Sequence, residues 1–296
     1  MLVTFYGVRG SIAAPGPKTI KYGGNTSCVH VRLNDGNNII FDAGTGIREL
    51  GVRMIQNDEP LLLLLSHGHW DHIQGYPFFA PIYQPDREIK IFQGIGRDAV
   101  SLKAILKQMD GSTFPVRADD LPSKVTTVHQ IDESINAQSF QTTRKPLNHP
   151  GGGDAYRIEE DGISIAYITD NELDPPTAPQ TKYSEWVEFC KGVDLLIHDA
   201  QYTEKDLPAK HGWGHSLISQ VRQLAVDAEV KNLVMYHHDP ERTDSQLDEI
   251  AIESERFFRS KNSVIGSHIA AEGLVFELAF RKDPRVSTID LHENSR

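Results

Sequence analysis

Residues 61–72 read LLLLLSHGHWDH, five leucines followed by a run that holds three histidines and an aspartate. A short unbroken apolar run is typical of a strand that is buried on both faces. The polar run therefore begins where this strand ends. Imidazole and carboxylate groups are ligands of zinc and related divalent metals, so the stretch predicts a metal site at the end of a buried strand.

The candidate ligands in this stretch are His67, His69, Asp71 and His72. Residues at alternate positions point in different directions, so a single tetrahedral site does not readily use all of them. Two neighbouring cations that share the stretch are the more natural arrangement. The alternative is a solvated polar loop after a strand, which a single histidine would favour but this density of ligand types does not.

Three more residues lie at the ends of apolar, strand-like runs: His149, Asp170 and His237. A site for two ions needs ligands of this kind from elsewhere in the chain. Each residue also has an ordinary alternative, as a loop histidine, a helix cap or a turn residue. Their common position at strand ends favours one shared site over three separate roles.

Strand-like patterns occur in both halves of the chain, at residues 2–5, 28–33, 39–41, 61–65, 137–147, 155–159, 163–169, 195–197 and 233–235. Helical periodicity is found at residues 47–55, 216–230 and 243–258, and the last of these starts with a capping box. Two β-rich halves with amphipathic helices predict two mixed β-sheets packed face to face, with helices on the outer faces. This is an αββα sandwich of the α/β class.

We expect a single domain over residues 1–282, because no low-complexity linker interrupts the chain. Residues 94–133 are the least regular stretch, and Pro115 and Pro122 break any regular element there. This stretch predicts a loop-rich excursion. Residues 283–296 predict a poorly anchored C-terminal tail.

Composition limits the classes of partner. The 296 residues include 30 Lys and Arg against 41 Asp and Glu, a formal charge of −11 that repels nucleic acid and anionic membranes. The longest apolar run is far shorter than the roughly 20 residues that span a bilayer, and the N-terminus has no basic leader. The sequence therefore predicts a cytoplasmic protein with a small-molecule partner, no membrane association, and Cys28 and Cys190 as free thiols.

The motif H-x-H-x-D-H at residues 67–72, followed by the three isolated ligands, resembles the metallo-β-lactamase superfamily over nearly the whole chain. The resemblance implies the fold of that superfamily and a hydrolase with two divalent ions, one bridging aspartate and three further ligands for each ion. The first ion's ligands are His67, His69 and His149, the second ion's are Asp71, His72 and His237, and the bridge is Asp170.

Zinc is the expected metal, with manganese and iron as alternatives because the same ligand types serve all three. Members of the superfamily with a di-iron centre for redox chemistry carry a glutamate at the position of His69. A histidine there favours hydrolysis.

Residues 197–201, IHDAQ, and 214–216, GHS, resemble motifs of ribonuclease Z-like phosphodiesterases. The resemblance implies that His215 donates a proton to the leaving oxygen, and that Asp199 orients this histidine and favours its protonated form. It also implies that Asp71 accepts the proton of the attacking water. The alternative is that Asp199 caps a turn and His215 caps a helix.

The segments GVRGS at 7–11, YGGNTSC at 22–28 and FDAGTG at 41–46 resemble the branch of phosphoribosyl cyclic phosphodiesterases and bacterial cyclic-nucleotide phosphodiesterases. Glycines can expose backbone N–H groups to phosphate, although tight turns alone are an equal alternative. Substrate contacts are expected from Arg9, Asn25 and His238. Asp42 is expected to orient a metal-bound histidine.

These features together predict a metal-dependent phosphodiesterase in which two cations bind phosphate oxygens and acidify a water to hydroxide. The expected substrate is a small anionic cyclic phosphodiester, a cyclic nucleotide or cyclic ribose phosphate, because residues 94–133 carry no basic excess to clamp long RNA. The alternatives are a ribonuclease Z-like RNA-processing nuclease, a lactonase or thioesterase, and a metal-binding sensor without turnover. The resemblance also implies a homodimer.

Overall fold

A computed structural model describes residues 1–92, 105–128 and 139–279. The strands in these ranges are β1 (Leu2–Gly7), β2 (Cys28–Arg32), β3 (Asn38–Phe41), β4 (Leu61–Leu64), β5 (Glu88–Phe92), β6 (Lys124–Val128), β7 (Gln141–Pro146), β8 (Asp154–Glu160), β9 (Ile163–Ile168), β10 (Leu195–Asp199), β11 (Asn232–Tyr236), β12 (Gly266–Ile269) and β13 (Val275–Glu277). The α-helices with both ends in these ranges are α1 (Ile47–Met54), α2 (Trp70–Ile73), α3 (Tyr183–Cys190), α4 (Ile218–Asp227) and α5 (Asp244–Ser260).

The strands form two sheets. One has the order β13-β1-β2-β3-β4-β5-β6, and the other has the order β12-β11-β10-β9-β8-β7. Strands β3 to β6 are parallel, as are β9 to β12, while the remaining neighbours are antiparallel. The predicted pair of mixed sheets is confirmed.

The leucine run packs into two separate cores because successive strand residues point to opposite faces. Leu62 and Leu64 lie in the core between the two sheets. Leu61, Leu63 and Leu65 lie in the core between the first sheet and α1. All five side chains are buried, which explains why this strand carries no polar residue.

Helices α3, α4 and α5 cover the outer face of the second sheet. Trp186, Val221 and Leu247, one from each helix, share a buried core with Leu196 of β10 and Leu233 of β11. With α1 on the first sheet, the layers run helix, sheet, sheet, helix. The predicted αββα sandwich is therefore confirmed.

The predicted capping box at the start of α5 is also confirmed. Thr243 Oγ1 accepts the backbone N–H of Gln246 at 3.4 Å, and Gln246 Oε1 accepts the backbone N–H of Thr243 at 2.9 Å. These two bonds satisfy donors that the first helical turn leaves without an intrahelical partner.

Residues 105–128 are the described part of the stretch predicted as a loop-rich excursion. They include a 3₁₀ turn at Ala118–Asp120, and they end in β6, which pairs with β5 and extends the first sheet. Phe114 packs edge-on against Phe78, with ring centroids 5.3 Å apart, so this part lies against the outer face of the first sheet. The predicted tail lies outside the described residues, and the single domain stays a prediction.

No helix among residues 1–92, 105–128 and 139–279 is long and apolar enough to cross a bilayer. Cys28 and Cys190 are both buried free thiols, as predicted.

Candidate metal centre

The candidate ligands come together at the carboxyl ends of the parallel strands. Residues 67–72 follow β4, Asp170 follows β9 and His237 follows β11, while His149 lies in the loop after β7. Open sheets of the α/β class collect ligands outside these strand ends. The ligand atoms form two groups, each within 4.8 Å: His67, His69, His149 and Asp170; and Asp71, His72, Asp170 and His237. A third set, Asp199, His215 and His237, shares His237 with the second group.

Asp170 belongs to both groups and divides its two oxygens between them. Its Oδ2 lies 3.6 Å from His67 Nε2 and 3.8 Å from His149 Nε2. Its Oδ1 lies 3.1 Å from the Nε2 atoms of His72 and His237. A carboxylate that faces two ligand groups in this way has the geometry that a bridge between two cations requires.

The other members of each group are equally close. Asp71 Oδ2 lies 3.2 Å from His72 Nε2 and 3.2 Å from His237 Nε2. The same oxygen accepts the backbone N–H of Ser11 at 2.7 Å. In the first group, His69 Nδ1 lies 3.0 Å from His149 Nε2.

Hydrogen bonds of the Nδ1 atoms of three histidines direct their Nε2 atoms toward the two ligand groups. A proton on Nδ1 leaves the lone pair of a neutral imidazole on Nε2, the form that binds a metal. The pairs of Nδ1 donor and oxygen acceptor are His72 and Asp42 at 2.8 Å, His149 and Gly214 at 3.1 Å, and His237 and Gln201 at 2.9 Å.

One ring nitrogen that faces the ligand groups, His67 Nε2, is buried and has no hydrogen-bond partner among the described residues. A buried polar atom without a partner costs about 1–3 kcal/mol. Coordination to a divalent cation removes this cost, and a set of imidazoles and carboxylates is a donor set that suits zinc. The residues present therefore fit a pair of divalent cations.

The charges in the cluster depend on both burial and proximity. Burial, reinforced by His72, holds the pKa of His67 well below its usual value, and burial lowers the pKa of His149 to about 4. Burial also opposes the charge of His72, but the carboxylates of Asp71, Asp170 and Asp42 outweigh it and raise the pKa of this ring. A cation must therefore displace a proton from His72 when it binds.

Asp42 holds His72 from outside the ligand groups, as expected. It is fully buried, and its Oδ2 accepts from His72 Nδ1 at 2.8 Å and from the hydroxyl of Tyr167 at 2.7 Å. Its Oδ1 accepts the backbone N–H of Ser66 at 2.7 Å. These contacts fix the ring orientation and the tautomer of His72.

Substitution Asp42→Asn is expected to weaken metal binding by roughly 10–100-fold, because the amide loses one charged acceptor for His72 Nδ1. Competition with a chromophoric chelator measures this affinity. Asp58→Asn, a change of the same kind at an exposed position, is the control and should bind metal like the original chain. An unchanged affinity in Asp42→Asn contradicts the role assigned to this carboxylate.

Four residues around the centre have left-handed backbone conformations although none is glycine. The φ angles are 64° at Ser11, 60° at Asp42, 49° at Asp170 and 58° at His237. Asp42 and His237 directly follow strands β3 and β11, and Asp170 lies two residues after the end of β9. Such conformations cost of order 1–3 kcal/mol and persist where the surrounding contacts enforce them, most often at functional sites.

His215 and Asp199 form a pair beside the second group. His215 Nδ1 donates to Asp199 Oδ2 at 2.9 Å, and its ring stacks on that of His237 with centroids 5.2 Å apart. Burial disfavours the charged ring, but the Asp199 carboxylate outweighs it and raises the pKa of His215 to about 9. At neutral pH the pair is thus an imidazolium held by a carboxylate.

Glu172 fixes the loop that precedes His215. Its carboxylate accepts the backbone N–H groups of Gly212 at 2.8 Å and Gly214 at 3.0 Å. Gly214 has a φ of 91°, and a Cβ there would lie 2.0 Å from His149 Nδ1. Only glycine fits this position, so the loop places His149 and His215 side by side.

The expected role of Arg9 as a substrate contact is corrected by its position. The side chain is fully buried. Its Nε donates to the carbonyl of Gly23 at 2.8 Å, and its Nη1 donates to the carbonyls of Arg242 at 2.7 Å and Asp239 at 3.3 Å. Arg9 thus ties distant loops together through backbone carbonyls, and its Nη2 is buried without a hydrogen-bond partner among the described residues.

Asn25 and His238 also lie outside both ligand groups, and their expected substrate contacts stay predictions. The Asn25 side chain donates to Glu272 at 3.0 Å and accepts from the hydroxyl of Thr45 at 3.0 Å. His238 is buried and donates from Nε2 to the carbonyl of Ala270 at 2.8 Å. Burial lowers the pKa of His238 to about 3, so the ring stays neutral.

The contacts of the centre that have no counterpart among the expected site residues include Ser11, Ser66, Tyr167 and Gln201. Ser11 and Gln201 lie in the GVRGS and IHDAQ segments. These motifs point to the two positions, but they do not show that Ser11 contacts Asp71 or that Gln201 contacts His237. Tyr167 lies on β9 in the core between the sheets, where the alternation of strand residues places its hydroxyl against Asp42.

Comparison with known proteins agrees with this fold. The profile of the beta-lactamase superfamily domain matches residues 37–238. Ribonuclease Z of Synechococcus sp. (strain CC9311) is 22% identical over 296 residues, covering 81% of this chain and 88% of that protein. Ribonuclease Z of Prochlorococcus marinus (strain NATL1A) is 32% identical over 256 residues, covering 69% of this chain and 78% of that protein.

Solved structures share the fold at low sequence identity. Zn²⁺-bound PqqB from Methylobacterium extorquens has a TM-score of 0.65 at 18% identity, covering 94% of this chain and 100% of that one. A diphosphatase of the PhnP family has a TM-score of 0.63 at 19% identity, covering 94% of this chain and 98% of that one. These likenesses extend over both sheets and support the same architecture.

Proposed function

The chain belongs to the beta-lactamase superfamily, in the branch of ribonuclease Z and the phosphodiesterases, and from this premise we propose that it is a metal-dependent phosphodiesterase of a small cyclic phosphodiester. The observation that carries the proposal is the division of the Asp170 oxygens between two ligand groups, next to the pair of His215 and Asp199. A two-cation centre with an adjacent proton donor suits the cleavage of a P–O bond.

In this proposal the two ligand groups hold one divalent cation each, with zinc as the first expectation. Such a pair would neutralise phosphate charge and lower the pKa of a water at the centre. Asp71 is the proposed acceptor of the water's proton, and the Ser11 N–H holds this carboxylate in place through Oδ2. Asp170 would keep the two groups at a fixed separation.

His215 is the proposed proton donor to the leaving ribose oxygen. Its Nδ1 proton is held by Asp199, so the proton on Nε2 is the one that can be transferred. Asp199 itself is held in place, because its other oxygen accepts the backbone N–H of Gln201 at 2.9 Å. The pair thus supplies a proton where negative charge develops in the transition state.

Charge favours a small substrate over a long polyanion. The chain carries −11 overall, whereas cations at the centre would attract a single phosphodiester over the short distances that matter. Within residues 105–128, the described part of the excursion, the basic residues are Lys107, Arg117 and Lys124, and Lys124 pairs with Asp86. These residues do not make a surface that would clamp RNA.

RNA processing is the second candidate function, since the relatives named ribonuclease Z match about four fifths of the chain. A lactonase or thioesterase would use the same centre on a carbonyl carbon. A cytoplasmic location and a homodimer stay predictions.

A panel of substrates tests the proposal. The purified protein is offered 2′,3′- and 3′,5′-cyclic nucleotides, a cyclic ribose phosphate, a tRNA precursor, a lactone and a thioester, with bound metal measured in parallel. We expect hydrolysis of a cyclic phosphodiester, and we expect His67→Ala to lose both metal and activity because a ligand is removed. His268→Ala, which changes a histidine of β12 outside both groups, is the matched control. Preferential cleavage of the tRNA precursor, or equal activity in His67→Ala, contradicts the proposal.

A further inference from the structure

A groove of about 220 Å³ opens beside the first ligand group. Its lining residues are Asn148, His149, Pro150, Glu172, residues 175–180 and Gly212. His149 belongs both to this lining and to the first ligand group, so the groove is continuous with the candidate centre.

The surface of the groove is mainly apolar and has no Lys or Arg among its lining residues. Pro150, Pro175, Pro176 and Pro179 contribute saturated rings. The carboxylate of Glu172 is engaged with backbone N–H groups of the loop before His215. Such a surface does not attract phosphate, so the part of a substrate that lies here is uncharged.

The amide of Asn148 is also engaged within the protein. Its Nδ2 donates to the carbonyls of Thr181 at 2.8 Å and Glu172 at 3.1 Å, and its Oδ1 accepts the N–H of Thr181 at 2.9 Å. The side chain stiffens the floor of the groove.

Trp213 directly follows Gly212, a lining residue of the groove, but does not itself line the groove. It is flanked by Gly212, where a Cβ would lie 3.0 Å from Pro176 of the groove, and by Gly214, which packs on His149. These close backbone approaches fix the position of Trp213, yet 59% of the residue is exposed. An exposed indole at the mouth of an apolar groove is a suitable surface for a flat ring to stack on.

We propose that this groove is a subsite for a nucleobase, with Trp213 as the stacking residue at its rim. The inference rests on the proposed function, since it places the phosphate of the same substrate at the ligand groups. It narrows the proposed substrate from cyclic phosphodiesters in general to those that carry a nucleobase. It assigns the preference for such substrates to the groove and not to the ligand groups.

Binding is tested without turnover. Calorimetry compares a nucleoside 5′-monophosphate with ribose 5-phosphate on the metal-loaded protein. We expect the nucleotide to bind at least about tenfold more tightly, a difference of about 1.4 kcal/mol, because only it carries the stacking base. Trp213→Ala should remove this difference, Trp213→Phe should keep most of it, and Ile252→Ala, a truncation of an exposed residue of α5, should match the original chain.

Kinetics provide the second readout. For a 2′,3′-cyclic nucleotide, Trp213→Ala should raise KM about tenfold with little change in kcat, whereas the matched cyclic ribose phosphate without a base should show unchanged kinetics. Equal affinity for nucleotide and ribose phosphate, or equal losses for both in Trp213→Ala, overturns the subsite. Hydrolysis of both diesters without discrimination would overturn the subsite alone. Selective nucleotide binding without hydrolysis of either diester would overturn the proposed function and leave the subsite standing.

Discussion

Asp170→Asn is expected to lower phosphodiesterase activity on the order of 10³-fold and to leave the protein with less than its full complement of metal. The reason is that Asp170 is shared by both ligand groups, with Oδ2 near His67 and His149 and Oδ1 near His72 and His237. An amide retains one carbonyl oxygen but offers NH₂ to the other group. A single substitution therefore affects both cations, whereas the loss of any other ligand affects one.

Metal content by mass spectrometry and kcat/KM on the best substrate of the panel measure this effect. Asp161→Asn is a closely matched control, because Asp161 is also a left-handed aspartate, with a φ of 51°, but lies exposed between β8 and β9. The control separates the loss of the carboxylate from any effect on backbone strain. If Asp170→Asn bound both metals with unchanged affinity, Asp170 would not be the bridge.

The convergence of ligands at one edge of the sandwich could be predicted from the sequence. Asp170 and His237 each follow a buried apolar run, and the carboxyl ends of parallel strands collect at one edge. The assignment of each ligand to a particular ion rested on the resemblance to the superfamily. The residues alone left that assignment open, because spacing along the chain does not determine which oxygen of Asp170 faces which ring.

The buried position and the contacts of Arg9 could not be predicted from the sequence in the same way. Its acceptors are backbone carbonyls of Gly23, Asp239 and Arg242, which carry no side-chain signal and lie far apart in the sequence. An arginine in a glycine-rich segment is equally compatible with a phosphate contact and with a buried side chain that binds backbone carbonyls. Only the packing of the loops decides between them.

Short polar strands also cannot be predicted from the hydrophobic pattern of the sequence. Strand β12, with the sequence GSHI, has one buried residue and begins with glycine, so it lacks the apolar alternation that marks a strand. It is ordered by pairing in parallel with β11, a strand whose own apolar run is clear. Likewise, the left-handed conformations at Asp42, Asp170 and His237 are imposed by the contacts around the centre and leave no pattern in the sequence.

His215→Ala is expected to lower kcat by roughly 10²–10⁴-fold while the metal content stays unchanged. His215 belongs to neither ligand group that shares Asp170, and its Nδ1 is already bonded to Asp199. The loss should be much smaller for a p-nitrophenyl phosphodiester, because p-nitrophenolate leaves without protonation. An equal loss for both kinds of leaving group would indicate a structural role for His215 and contradict proton donation.

The pH profile of kcat/KM tests the same pair through Asp199. A proton donor is active in its protonated form, so activity persists below the pKa of His215 and falls as the pH rises through it. Burial lowers this pKa, but Asp199 and the acidic residues of the centre raise it to about 9. Bound cations nearby would repel the imidazolium. The fall of kcat/KM with rising pH is therefore expected at or below pH 9. Asp199→Asn removes the charge that raises the pKa of His215 most and leaves the effect of burial, which lowers it. In this variant kcat/KM should therefore fall at a lower pH. At pH 8 the variant should therefore be more impaired than at pH 6, and profiles that fall in parallel would show that Asp199 does not control the protonation of His215.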